Sequence, residues 1–150
     1  MDNAMADALK QAIETARPED AARILREYAS VFEAPQRAFS DNMRALLREK
    51  GLRQQEVFLK ADISEGYGYK LISGEKHTRR RDTLLRLFYA AGVSPTEADR
   101  LFALASMPAL YPMFARDAVL MITLRSGLRE PAAVDELLVS LGFDPLYPSH

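Results

Sequence analysis

The sequence predicts an all-α fold, and three observations carry that prediction. Apolar residues recur at intervals of three and four along most of the chain, which is the spacing of one helix face. Strand signals are scarce, because the chain has no long alternation of apolar and polar residues and no Asn-Gly or Asp-Gly hairpin turn. Prolines and capping residues stand where helices would begin, and glycines stand where they would end.

The composition is that of an ordinary globular protein. Its 150 residues suffice for one domain or for one core with helical additions. No apolar run approaches the roughly 18–20 residues that a membrane span requires, and the acidic segment 1–7 lacks the basic and apolar regions of a signal peptide. The chain has no cysteine, which excludes disulfides and thiolate chemistry. We therefore expect a cytoplasmic protein.

Two helices are predicted before the first long break. The first carries its apolar face on Met5, Leu9, Ala12 and Ile13. The second opens at Pro18, because proline suits the first helical turn, and its apolar stripe consists of Ala21, Leu25, Tyr28 and Phe32. Glu33-Ala-Pro35 ends it.

Three more helices are predicted between residues 40 and 74. Ser40 is the expected N-cap of the third helix, and Gly51 is its stop, with Met43, Leu46 and Leu47 facing inward. The fourth is a short helix from Gln54 to Ala61 that turns Val57 and Phe58 inward. Ser64 caps the fifth helix, and Gly74 closes it.

The last third of the chain contains a repeat. Residues 81–112 and 116–148 align with one inserted residue, Arg129, and share ten identities. These are Arg81/Arg116, Asp82/Asp117, Leu85/Leu120, Gly92/Gly127, Pro95/Pro131, Asp99/Asp135, Leu101/Leu137 and the two Leu-Tyr-Pro triplets. Each copy reads as a helix, a glycine stop and a second helix opened by proline, and Ser94 to Glu97 forms a capping box. The pattern predicts a duplicated helical hairpin. A ligand contact through Tyr111 or Tyr147 is the less favoured reading of the two tyrosines.

Residues 41–91 resemble a known module. The segments Gly-Leu-Arg-Gln-Gln-Glu-Val (51–57), Lys-Ala-Asp-Ile-Ser (60–64) and Leu-Ile-Ser-Gly (71–74) are similar to the helix-turn-helix of the phage-repressor (Cro/CI, or XRE) superfamily. The order of elements over most of the chain also resembles an uncharacterised group of bacterial helix-turn-helix proteins. Those proteins carry an N-terminal helical extension, a Tyr-Gly-Tyr-like recognition helix and a tail with Leu-Tyr and Arg-Asp-Ala elements.

The resemblance implies three segments. Residues 1–35 would be an N-terminal helical extension, residues 36–112 the helix-turn-helix domain, and residues 113–150 a C-terminal hairpin that repeats 81–112. The sequence departs from the superfamily at Phe58, where a small residue is usual, and at Gly68, where a larger aliphatic is usual. We interpret these departures as a pair in which the Phe58 ring fills the space left at Gly68. Asp62 replaces the usual turn glycine, and aspartate tolerates the left-handed conformation.

The resemblance also implies a DNA-binding surface on the recognition helix, residues 64–73. Helical spacing turns Ile63, Tyr67 and Leu71 inward and leaves the opposite face to solvent. On that face the base-edge positions fall on Glu65, Gly66 and Lys70, while Tyr69 reaches a phosphate or a thymine methyl. The DNA-binding residues implied in this way are Gln54, Gln55, Ser64, Glu65, Gly66, Tyr69, Lys70, Lys76, Arg79 and Arg80.

The charge distribution agrees with an anionic partner for the middle of the chain. Residues 36–91 hold 12 Lys/Arg against 7 Asp/Glu, whereas residues 1–35 and residues 92–150 each hold 4 against 7. Two histidines and no cysteine do not make a zinc site, and no phosphate-binding loop or catalytic triad is present. We expect no cofactor and no enzymatic activity.

Two functions remain open from the sequence. The first is a sequence-specific DNA-binding transcriptional regulator that acts as a homodimer, because one helix-turn-helix reads one half-site. The N-terminal helices or the C-terminal hairpin would then dimerise or bind a protein partner. The second is a protein-interaction adaptor or antitoxin-like module, which would bind a protein through the Tyr67/Tyr69 surface or the acidic flanks.

Overall fold

The computed structural model describes residues 3–78 and 80–147, and every regular element within them is helical. This confirms the predicted all-α fold. The helices are α1 (Asn3–Thr15), α2 (Ala21–Glu27), α3 (Pro35–Glu49), α4 (Gln54–Ala61), α5 (Glu65–Ser73), α6 (Arg81–Ala91), α7 (Pro95–Leu104), α8 (Ala115–Ser126) and α9 (Pro131–Ser140), with a 3-10 turn at Pro18–Asp20 before α2. No helix of the described residues is long and apolar enough to cross a membrane.

The chain forms two compact units, residues 1–34 and residues 35–150. The first unit holds α1, the 3-10 turn and α2. The second holds α3 to α9, so that the segments 36–112 and 113–150 both belong to it. Within the second unit α3 packs against α5 and α7, α4 against α5 and α6, and α9 against α6 and α8.

The apolar stripe predicted for the second helix is wrong. The helix ends at Glu27, so that Phe32 lies beyond it, and the one buried residue of α2 is Ile24. Leu25, which was expected to face inward, is 59% exposed. A stripe from residue 21 to 32 requires about three turns of helix, whereas the chain leaves the helical conformation at Tyr28. In α1, Leu9 is buried as expected, but Met5 and Ile13 are exposed.

The predicted start of α3 is also wrong. The helix begins at Pro35, which the sequence pattern had assigned to the end of the preceding helix. A proline supports both interpretations, because it breaks a helix that precedes it and fits the first turn of one that follows. Ser40 consequently lies inside α3, where it is buried and its hydroxyl has no hydrogen-bond partner among the described residues.

The short connection between α4 and α5 has the predicted geometry. Asp62 adopts the left-handed conformation, with φ 54° and ψ 49°. The N–H groups of Asp62 and Ile63 donate to the carbonyls of Leu59 and Phe58 at 3.2 and 3.0 Å, which closes the end of α4. Ser64 then takes the extended conformation of an N-cap, although its hydroxyl accepts no capping hydrogen bond from α5.

The two copies of the repeat are joined by crossed ion pairs between equivalent residues. Arg81 binds Asp117 through both terminal guanidinium nitrogens, Nη1 and Nη2, and Arg116 binds Asp82 in the same bidentate way, at 3.0 and 3.1 Å. Each arginine also donates to a carbonyl in the exit loop of its own copy. Arg81 and Arg116 are therefore structural residues at the junction of α6 and α8.

The inserted residue of the second copy has a structural role as well. Arg129 reaches back from the α8–α9 connection, and its Nη2 donates to the carbonyl of Ala90 at 3.0 Å. That carbonyl lies in the last turn of α6, where helix carbonyls lack partners inside the helix and a cation is favourable. The insertion thus links the second hairpin to the C-terminal end of α6. Pro148, the last identity of the repeat, lies outside the described residues.

Buried aromatic and aliphatic side chains from α3 to α9 form one core. Phe88 and Phe102 contact each other in it, with ring centroids 5.1 Å apart. Tyr89 is also fully buried, and its hydroxyl donates to the Leu120 carbonyl at 3.0 Å and lies 2.7 Å from the Thr123 hydroxyl. Burial raises the pKa of Tyr89 far above its ordinary value, so this hydroxyl stays neutral and ties α6 to α8.

Candidate nucleic-acid interface

The exposed face of α5 carries the side chains that the sequence assigned to it. Glu65, Gly66, Tyr69 and Lys70 are exposed, whereas Leu71 and Ile72 are buried and Tyr67 is half-buried. The space above Gly66 is open, because an added Cβ at this position would have no neighbour within 4 Å. A flat surface at this point allows another backbone to approach α5 closely.

Tyr69 is held in place by two contacts. Its ring meets the Phe58 ring edge-to-face, with the centroids 5.1 Å apart, an arrangement that aromatic pairs favour. Its hydroxyl donates to Glu65 Oε1 at 3.4 Å, one helical turn away. Although these contacts fix its orientation, Tyr69 remains 41% exposed and free to contact a ligand.

A shallow basic groove adjoins Tyr69. It has a volume of about 470 Å³ and runs between α3, the α3–α4 loop and the start of α4. The residues that line it are Arg44, Leu47, Arg48, Leu52, Arg53, Gln54, Gln55 and Tyr69. Three of these residues are arginines and none is acidic, which favours an anion in the groove. We refer to it below as the arginine groove.

Three of the residues that the sequence assigned to DNA binding meet in this groove. They are Gln54 and Gln55, from the first turn of α4, and Tyr69 from α5. The three arginines are not among the DNA-binding residues that the sequence predicts. Arg44 and Arg48 lie four residues apart on α3 and each follows an inward residue, so helical spacing could have placed them together on one side of α3. Their approach to Tyr69 depends on how α3 packs against α5.

The described basic residues of the α5–α6 loop, Lys76 and Arg80, are not among the residues that line the arginine groove. Lys76 and Arg80 are exposed, and the backbone N–H of Lys76 donates to the Lys70 carbonyl at 3.0 Å, which folds the loop onto the end of α5. Lys76 is one of the residues that line a different, apolar cavity, together with His77 and Thr78. Arg79, also assigned to DNA binding, lies outside the described residues.

The second hairpin supports the turn between α4 and α5. The Tyr147 hydroxyl donates to the Ala61 carbonyl at 2.9 Å, and the Arg86 guanidinium stacks over the Tyr147 ring, 4.4 Å from its centroid. Arg86 in turn donates to the Asp62 carbonyl at 3.2 Å. Both bonds end on consecutive carbonyls of the α4–α5 connection. The repeat mate Tyr111 instead packs on Phe114 and is half exposed.

The described residues contain no group of three or more histidine, cysteine or acidic side chains that could hold a metal ion. Comparisons of the chain with protein-family models, with curated proteins and with solved structures find no match in any of the three.

Proposed function

We propose that the protein is a sequence-specific DNA-binding transcriptional regulator, in which α4 and α5 form a helix-turn-helix of the phage-repressor type. The observation that carries the proposal is the arginine groove beside Tyr69. In it, cationic and amide side chains from α3 and α4 adjoin the exposed face of a short helix, and none of the lining residues is acidic. Phosphate contacts of this kind position a helix on DNA, while base contacts give it specificity.

Each part of the surface has a distinct role in this proposal. Arg44, Arg48 and Arg53 contact phosphates, together with Gln54 and Gln55 at the N-terminus of α4. On α5, Lys70 donates to guanine, Glu65 accepts from cytosine, and Gly66 lets the helix lie close to the groove floor. Ser64 offers a hydroxyl that makes no capping bond within α5. Lys76, Arg79 and Arg80 extend the phosphate contacts from the loop.

A homodimer belongs to the same proposal, because one such module reads a half-site and two copies read a palindrome. The chain offers exposed apolar side chains for a partner before and on α8, where Met113, Phe114 and Ile122 are 77%, 62% and 67% exposed. Large exposed apolar side chains are available to an interaction site if a partner covers them.

The same apolar residues favour a second candidate function, a protein-interaction adaptor. In that case the partner would cover Met113, Phe114 and Ile122, and the arginine groove would be an ordinary solvated surface. The two functions differ in their dependence on salt. Binding through phosphates weakens steeply as the salt concentration rises, because the counterions released from the DNA then gain less entropy; the slope of log affinity against log salt is about −0.9 per phosphate contacted. An apolar interface weakens little.

The deciding experiment is fluorescence anisotropy of labelled duplexes, including DNA upstream of the protein's own gene, at two salt concentrations. The wild type is compared with an Arg44→Gln/Arg48→Gln/Lys70→Gln variant and with a matched variant, Lys10→Gln/Arg100→Gln/Arg125→Gln, that loses the same charge outside the proposed surface. We expect salt-sensitive, sequence-dependent binding that the first variant loses and the second keeps. Equal losses in the two variants, or no binding by the wild type at low salt, would defeat the proposal.

A further inference from the structure

An apolar cavity of about 340 Å³ lies within the second unit, at the edge of the main core. Its volume is at the lower end of the range for small-molecule sites. The lining residues come from the start of α3, the end of α5 and the loop after it, α6, and the end of α7 with the segment that follows it.

The apolar walls of the cavity are parts of the folded core. Phe39, Leu71 and Leu84 are each buried, with exposures of 3–5%, and their backbones belong to three different helices. The wall after α7 is fixed by Ser106, which has a positive φ of 58°, and by the Met107 N–H, which donates to the Phe102 carbonyl at 2.8 Å. The cavity is therefore preformed, and an apolar ligand would not have to create it.

The rim of the cavity is polar and lacks acidic groups. Gln36 and His77 are hydrogen-bonded to each other, Nε2 to Nε2, at 3.0 Å. Lys76, Thr78 and Ser106 are the other polar residues of the lining, and no described residue that lines the cavity is acidic. The loop that carries Lys76 and Thr78 is held at the end of α5 by the bond from Lys76 N–H to the Lys70 carbonyl. The residues at this edge of the apolar space thus carry an ammonium, an amide, an imidazole and hydroxyl groups.

We propose that this cavity binds a small organic anion with an apolar body, such as an aryl carboxylate. The apolar body occupies the space between Phe39, Leu71 and Leu84, where its burial is favourable. The carboxylate lies at the rim, where Lys76 supplies a positive charge and His77 and Thr78 supply hydrogen bonds. Neutral ligands of the same shape bind more weakly, since they gain nothing from the Lys76 ammonium.

The test compares 1-naphthoate with the uncharged 1-naphthalenemethanol, titrated into the full chain and followed by NMR amide shifts and calorimetry. We expect naphthoate to bind roughly tenfold more tightly than the alcohol, with the largest shifts at Leu71, Leu84 and Met107. The Lys76→Gln variant should lose that preference, whereas Lys10→Gln, which changes a lysine outside the cavity, should retain it.

A filling variant, Ala105→Leu, checks the location of the site. It should weaken both ligands, and circular dichroism verifies that it folds. The proposal is overturned if naphthoate does not bind up to its solubility limit, if the alcohol binds equally well, or if the shifts lie elsewhere on the protein. Because the titration contains no DNA, its outcome is independent of the proposed regulatory function.

Discussion

Phe58 occupies the space that any side chain at Gly68 would need. A Cβ built on Gly68 would lie 2.5 Å from Cδ1 of Phe58 and 2.6 Å from Cε1, distances that real Cβ contacts do not reach. Both residues are buried, and the Phe58 ring also carries Tyr69 on its edge. The interpretation that the Phe58 ring fills the space at Gly68 is confirmed, and the contact of this ring with Tyr69 links that packing to the exposed face of α5.

The effect of Gly68→Ala on the free energy of unfolding should therefore change sign between the wild type and the Phe58→Ala variant. In the wild type it forces the methyl group against a buried ring and should destabilise the fold by about 1–3 kcal/mol. Phe58→Ala alone should cost about 3–5 kcal/mol, because it leaves a cavity. In the Phe58→Ala background, Gly68→Ala should instead stabilise, by up to about 1 kcal/mol, since alanine favours the helix and fills part of the space.

Urea unfolding of the four proteins measures this cycle, with Gly66→Ala as the control for helix propensity. An added Cβ at Gly66 has no neighbour within 4 Å, so that substitution should not destabilise. If the changes in the free energy of unfolding caused by Phe58→Ala and Gly68→Ala were simply additive, the two residues would not be energetically coupled, and the proposed pairing would be wrong.

The crossed ion pairs of the repeat should be unequal in strength. Asp117 has a side chain only 4% exposed and accepts hydrogen bonds from Arg81 and from the Tyr111 N–H, whereas Asp82 is 26% exposed. Breaking a buried pair costs about 3–5 kcal/mol, because a charge is left without its partner, and breaking an exposed one costs about 1 kcal/mol or less. Asp117→Asn should therefore destabilise more than Asp82→Asn in chemical unfolding. Similar costs at the two repeat mates would contradict this ranking.

Tyr147 should stabilise the turn between α4 and α5 from a distance of 86 residues along the chain. Tyr147→Phe removes the hydrogen bond to the Ala61 carbonyl and should cost about 0.5–1.5 kcal/mol. It should also speed hydrogen exchange at the Asp62 and Ile63 amides, which close α4. Tyr111→Phe is the matched control at the equivalent repeat position and should leave both amides unchanged. Uniformly faster exchange across the core would indicate a general loss of stability instead.

The proposed role of the arginine groove predicts how DNA affinity depends on the salt concentration. If Arg44 and Arg48 each contact a phosphate, each substitution to glutamine should reduce the slope of log affinity against log salt by about 1. Arg100→Gln provides the comparison, because this exposed arginine of α7 lines a different cavity, with Glu49 and Glu97. Anisotropy titrations over several salt concentrations give the slopes. Unchanged slopes in the groove variants would remove both arginines from the proposed interface.

The capping box at α7 should make stability depend on pH. Burial acts to raise the pKa of Glu97, but the Ser94 N–H, which donates to Oε1 at 2.9 Å, and the Lys50 ammonium outweigh it and hold the pKa below its ordinary value. A carboxyl with a depressed pKa in the folded state stabilises above its unfolded pKa and loses that contribution as pH falls through the folded one.

Glu97→Gln should therefore flatten the acid limb of the stability curve, measured by urea unfolding at a series of pH values from neutral to acidic. Asp99→Asn, which changes an exposed carboxyl two residues away, serves as the control. An unaltered acid limb in Glu97→Gln would mean that other carboxyls carry the pH dependence.

The sequence alone determined most of the local structure. Positions 54–61 and 65–73 were bounded by signals that act within one helical turn, such as the left-handed residues Asp62 and Gly74, and such signals do not depend on distant contacts. The apolar faces predicted for the first two helices failed in part, because several of their residues are exposed. The predicted start of the third helix at Ser40 failed because one local signal supported two interpretations. Pro35 both ends and begins a helix, so only packing could decide that Ser40 would be buried inside α3.

The tertiary structure decided which side chains meet. Arg44 and Tyr69 line one groove because α3 packs against α5. Arg81 pairs with Asp117 because α6 and α8 of the two repeat copies meet, and the Tyr147 hydroxyl donates to the Ala61 carbonyl because the chain returns to the α4–α5 turn. Helical periodicity assigns a residue to a face of its own helix and carries no information about the neighbouring element. The helices of this protein follow from residues that are close together in the sequence, whereas its candidate site depends on contacts between residues that lie far apart in sequence.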